Sequence, residues 1–128
     1  MGFQAPTPDA TGVAVSTAYS SGNVAAATAT ATIPAVAGKT NYLTGYVVTA
    51  SGATAGLPVN FTITGCVGGT ITNTFVFPAG VLVGAVPLVV ILTDPLAATG
   101  PNVAVVGSLP SSGAGGTNAS VTLFGYNN

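Results

Sequence analysis

Histidine is absent from these 128 residues, and only Lys39, Asp9 and Asp94 are ionised at neutral pH. General acid–base catalysis needs a titratable group near neutrality with a second group placed to assist it. Here the two carboxylates are far apart, Asp9 in a Pro-bearing opening segment and Asp94 before Pro95, where it is expected to start a turn. A serine or cysteine nucleophile has no imidazole to take its proton. The chain is therefore expected not to be an enzyme and to have no catalytic residues.

A single cation also argues against nucleic acid, since phosphates are neutralised by clustered Lys or Arg. The one cysteine, Cys66, permits no intrachain disulfide and no thiolate metal cluster, and is expected to serve as a small buried hydrophobe. No metal and no cofactor are expected. Gly38-Lys39-Thr40 has the ending of a phosphate-binding loop, but Ile33 stands where the first glycine is required and Pro34 removes an amide from the cradle. Lys39 is instead expected in an exposed turn.

Long apolar segments are lacking as well. The stretch from Ala79 to Leu92, AGVLVGAVPLVVIL, is uncharged but shorter than the roughly 20 residues of a spanning helix. Gly84 and Pro87 interrupt it, and Thr93-Asp94-Pro95 stops it. The opening MGFQAPTPDATG has neither the basic nor the apolar region of a secretory signal, so no membrane partner is expected and the cytoplasm is the expected place of assembly.

What remains is a neutral chain rich in Thr, Ala, Val and Gly, with charged residues at 2% against the roughly 25% usual in soluble domains. A surface so poor in charge has little electrostatic protection against self-association. Gly and Pro recur throughout, and no window repeats apolar residues at helical spacing. Alternation with a period of two is plain instead. In PVNFTIT (Pro58–Thr64), Val59, Phe61 and Ile63 point one way, and Asn60, Thr62 and Thr64 the other. In TITNTFVF (Thr70–Phe77), Ile71, Phe75 and Phe77 oppose Thr70, Thr72 and Thr74, with Gly68-Gly69 joining the two runs as a hairpin.

Further strands are expected at about Gly12–Tyr19, Val24–Ile33, Asn41–Thr49, Val86–Leu92, Asn102–Gly107 and Ala119–Tyr126, with turn-forming residues between them. The expected fold is all-β: a single antiparallel β-sandwich of about eight strands over residues 13–128, a jelly roll more readily than an immunoglobulin-like order, preceded by an extended arm over residues 1–12. Outward strand positions hold Thr, Ser, Asn and Ala, where monomeric sandwiches place charge to block pairing with other chains. Tyr42 and Tyr46 are expected on one face of the Asn41–Thr49 strand as interface candidates, together with Tyr126 and, in the arm, Phe3, Pro6 and Pro8. The arm is expected to lie on another subunit or to stay mobile.

The stretch ATIPAVAGKTNYLTGYVVTASGATAG, from Ala31 to Gly56, and the closing TNASVTLFGYNN resemble small Thr/Ala/Gly-rich capsid decoration, or cement, proteins of tailed bacteriophages. The resemblance spans most of the chain from Val24 onward. It implies a β-sandwich or jelly roll that attaches to the outer capsid surface of a virion as a homo-oligomer, bridges copies of the major capsid protein, and is assembled in the host cytoplasm. The ending SVTLFGY is also similar to the last strand of trimeric tumour-necrosis-factor-like jelly rolls, which favours a trimer over a dimer. Two other classes stay open. One is a receptor- or glycan-binding module, such as a head fibre or adhesin, using loops like Ser111–Gly116. The other is a structural subunit of a tail, sheath, pilus or surface layer.

Overall fold

The computed structural model describes residues 16–80, 87–112 and 117–128. The expected arm with Phe3, Pro6 and Pro8 lies outside the described residues, as do residues 113–116 of the expected Ser111–Gly116 loop. The described residues contain no helix. They form eight strands: β1 (Thr17–Ser20), β2 (Ala29–Ile33), β3 (Asn41–Ser51), β4 (Leu57–Thr64), β5 (Ile71–Phe77), β6 (Leu88–Ala97), β7 (Val105–Leu109) and β8 (Asn118–Asn127). Two antiparallel four-stranded sheets, ordered β1-β8-β3-β6 and β2-β7-β4-β5, close on one core as a β-sandwich.

The pairing is nested. β4 pairs with β5, β3 with β6, β2 with β7 and β1 with β8, every pair antiparallel. The chain thus doubles back once, at residues 65–70, and the two limbs of this long hairpin stay together as they wrap between the sheets. The turn at the centre needs left-handed backbone at Gly65, Gly68 and Gly69, with φ of 99°, 89° and 100°. Only glycine takes such angles without steric cost. Backbone bonds from Val67 to Ala97 (2.9 Å) and from Thr99 to Gly65 (2.9 Å) hold the turn against the end of β6, burying Cys66.

The alternation in β4 and β5 places Phe61, Ile63, Phe75 and Phe77 inside, as their spacing predicts. They meet Ile33, Leu43, Val48, Val105, Leu109, Val121 and Leu123. Each fully buried side chain of this size contributes about 1.5–3 kcal/mol before chain entropy is subtracted. Asn41, fully buried among them, donates through Nδ2 to the carbonyls of Pro34 (3.0 Å) and Val103 (2.8 Å), tying β3 to the chain before β7.

Three elements differ from expectation, each for a local reason. The expected strand Val24–Ile33 is divided: Val24 bridges to Ala119 in one sheet, whereas β2 begins at Ala29 in the other, and residues 25–28 make the crossing. The expected turn at Asp94-Pro95 lies inside β6, which runs on to Ala97. There β3 advances from Leu43 to Gly45 while β6 goes from Leu96 to Ile91, so Pro95 falls in a stretch without ladder pairing on an edge strand, where a missing N–H is tolerated. Lys39 is half-buried, its amide bonded to the Val36 carbonyl and its carbonyl accepting from Asn102.

Candidate interaction surfaces

No group of three His, Cys, Asp or Glu side chains converges among the described residues. Cys66 is a free buried thiol, and burial raises its pKa. Among the described residues no helix is long and apolar enough to cross a membrane. The features that could engage another molecule are the outer faces of the two sheets.

On the outer face of β2-β7-β4-β5, strand register lines up hydroxyls across the whole sheet. Thr30 lies opposite Ser108, Ser108 opposite Thr62, and Thr62 opposite Thr72. The row on one side of it holds Thr32, Val106 and Thr64, and on its other side Asn60 accepts a 3.2 Å bond from Thr74. None of these positions is charged. β-branched threonine favours the strand, and its hydroxyl can both donate to and accept from water or protein. Such a face can be covered without stranding an ion away from water.

The outer face of β1-β8-β3-β6 is aromatic and apolar toward one end, with the hydroxyls of Ser20, Thr122, Thr49 and Ser120 toward the other. Tyr42 and Tyr126 sit opposite each other on β3 and β8, with ring centroids 5.1 Å apart and planes 15° from parallel. Burial, and to a lesser degree the neighbouring Tyr42, raise the pKa of Tyr126. Tyr46 does not join them, against the expectation that Tyr42 and Tyr46 share a face. Register on β8 moves one residue, from Gly125 to Phe124, while β3 moves two, from Leu43 to Gly45. Thr44 is the extra residue, and this β-bulge reverses the side-chain alternation downstream. Tyr46 therefore points inward, 4% exposed, tilted against Phe61 and donating a 2.8 Å hydrogen bond to Asn73 Oδ1. Its hydroxyl is desolvated, which raises its pKa.

Next to the bulge the face is indented. One row across the sheet reads Ala18, Phe124, Gly45, Ile91, and the missing side chain at Gly45 leaves a dip between the ring and the isoleucine. The indentation widens into a groove of about 500 Å³ lined by Val47, Val89, Ile91 and Phe124, with Ser16 and Thr44 at its rim. Ile91 is 83% exposed and Val89 52%. Expectation had assigned no surface role to β6. The signal was the uninterrupted LVVIL run, Leu88–Leu92: consecutive apolar residues on a strand put apolar groups on both faces, and on an edge strand the outer one is left open.

No protein-family model, no curated protein and no solved structure matches this chain.

Proposed function

We propose that this chain is a non-enzymatic structural subunit that works by burying uncharged sheet surface against other protein, and, as its resemblance implies, that it is a capsid decoration protein stabilising a phage head through contacts with the major capsid protein. The observation that carries this reading is the hydroxyl row Thr30–Ser108–Thr62–Thr72 on a face with no charge. Burying a charged strand face would require every ion to be paired, whereas neutral hydroxyls exchange water for protein at small cost. On a repeating lattice many weak contacts of this kind sum through avidity.

We also assign the sandwich to the jelly-roll class. Supporting this, the nested pairs wrap so that every consecutive strand pair except β4–β5 changes sheet, as two interlocked Greek keys require.

The test is to mix the purified protein with undecorated heads of a tailed bacteriophage. Saturable co-sedimentation and a raised head melting temperature are expected, since a partner that binds only the assembled state stabilises it. The double variant Thr62→Lys/Thr72→Lys is expected to fold and to lose binding. Failure to bind heads, with retention on a glycan array, would replace this function by the glycan-binding one.

A further inference from the structure

Two carboxamide oxygens inside the sandwich, Asn41 Oδ1 and Asn127 Oδ1, are shut off from solvent and accept no hydrogen bond from the protein. The residues that carry them are 0% and 3% exposed. They share one place in the fold. Asn41 opens β3, Asn127 closes β8, and the register sets them opposite each other. One step outward, Thr40 and Asn128 exchange two backbone bonds of 3.1 Å. Asn41 and Asn127 therefore fall at the next, non-hydrogen-bonded position of the ladder, where facing side chains come closest, with Cβ atoms about 4.5–5.5 Å apart.

Neither side chain relieves the other. Asn41 Nδ2 is committed to the carbonyls of Pro34 (3.0 Å) and Val103 (2.8 Å), with that of Ile33 at 3.4 Å, and turning the carboxamide over would press Oδ1 against those oxygens. Asn127 donates nothing to it, since Asn41 Oδ1 has no partner.

We infer that one internal water is bound between the two side chains and donates a hydrogen to each Oδ1. The count matches: water has two protons to give, and the pair presents two orphaned acceptors. Buried polar groups left over by the protein are ordinarily satisfied by such waters. A cation fits the site less well. Both oxygens belong to neutral amides, and Asp94, the one acidic side chain among the described residues, is exposed on β6, so an ion's charge would be buried unpaired. The water completes a polar chain from β8 through Asn41 to the carbonyls that follow β2 and precede β7, tying the last strand of one sheet to the other sheet. This holds whatever the outer faces bind.

A crystal structure of the full chain tests it. One ordered peak within about 3.2 Å of both Oδ1 atoms is expected. Asn127 Nδ2 donating straight to Asn41 Oδ1, with no peak between them, would overturn the assignment. So would a peak ringed by several oxygens that takes up rubidium, or a melting temperature that rises saturably with sodium, potassium or calcium chloride, either of which would give the site to a cation. Oxygen-17 relaxation dispersion, which counts long-lived internal waters in solution, gives an independent reading. Asn127→Leu, with one acceptor removed and the space filled, should hold one fewer such water than the parent, and an equal count would overturn the site.

Discussion

Tyr42 and Tyr46 lie four residues apart on one strand and face opposite sides of it, because Thr44 is an unpaired extra residue between them. One stacks on Tyr126 outside the sandwich, and the other closes the core over Phe61. Substitutions at the two tyrosines therefore act differently. Tyr46→Phe leaves Asn73 Oδ1 without its donor and is expected to lower unfolding free energy by about 1 kcal/mol. Tyr42→Phe, on the outer face, should stay within about 0.5 kcal/mol of the parent. Urea denaturation midpoints distinguish them.

Deleting Thr44 removes the bulge and shifts the phase of β3. Either Tyr46 and Val48 or Asn41 and Leu43 must then turn outward, and all four are buried. The expected loss is at least about 3 kcal/mol, the cost of losing one large core side chain. Thr44→Ala keeps the extra residue and gives up only the Ser16 contact, so it should cost less than about 1 kcal/mol. Thermal melts of the two variants check the contrast.

Gly45→Ala places a methyl 2.7 Å from the backbone oxygen of Val90, which cannot move without parting β3 from β6. A loss of about 1–3 kcal/mol is expected, with faster amide hydrogen exchange confined to β6.

Asn41 is held by donation, so its replacement shows whether a donor is what the site needs. Asn41→Leu takes the donor away from the part-buried bonds to the carbonyls of Pro34 and Val103 and should cost about 1–3 kcal/mol. Asn41→Asp sets a carboxylate against the same oxygens. Its pKa in the folded state must rise above the unfolded value, so stability is lost at neutral pH and recovers as pH falls and the acid becomes a donor. Melting temperatures between about pH 7 and pH 4 should climb for this variant relative to the parent.

Alkaline pH acts on the parent through its tyrosines. Burial raises the pKa of both Tyr46 and Tyr126, so between the unfolded and folded values the folded state holds more protons. Their contribution is complete below about pH 10 and is lost as pH rises through the folded pKa. Stability should fall above about pH 10, and less steeply in Tyr46→Phe, as followed by circular dichroism during a base titration.

Strands were legible wherever one face meets the core and the other meets solvent. PVNFTIT and TITNTFVF show clean alternation, and both lie as predicted, with the hairpin between them. The bulge at Thr44 left no trace in YLTGYVV, because threonine and glycine suit a regular strand or an irregular one equally well, so the phase of Tyr46 was misassigned. Asp94-Pro95 has the chemistry of a turn, and only its position at a sheet edge makes it compatible with a strand. The division at Val24 was hidden because the crossing, residues 25–28, reads AAAT, with no Gly, Pro or charge to mark a break before the alternating ATATI. Of the candidate surfaces, the threonine face could be anticipated from composition. The groove could not, since it needs Phe124, Gly45 and Ile91 brought into one row from three strands.

The nested pairing also sets an order of assembly. In the innermost pair the bond from Thr74 to Asn60 spans 14 residues of chain, whereas the bond from Val121 to Ser21, at the outermost pair, spans 100. Closing the larger loop directly from the unfolded chain costs about 1.7 kcal/mol more in entropy than closing the smaller one. Once β4 and β5 have met, each later pair closes only the short gap left by the pair inside it. The route of least loop entropy is then a zipper that starts at Gly65–Thr70 and finishes with β1, and along it a slow or defective central turn would delay every strand that follows.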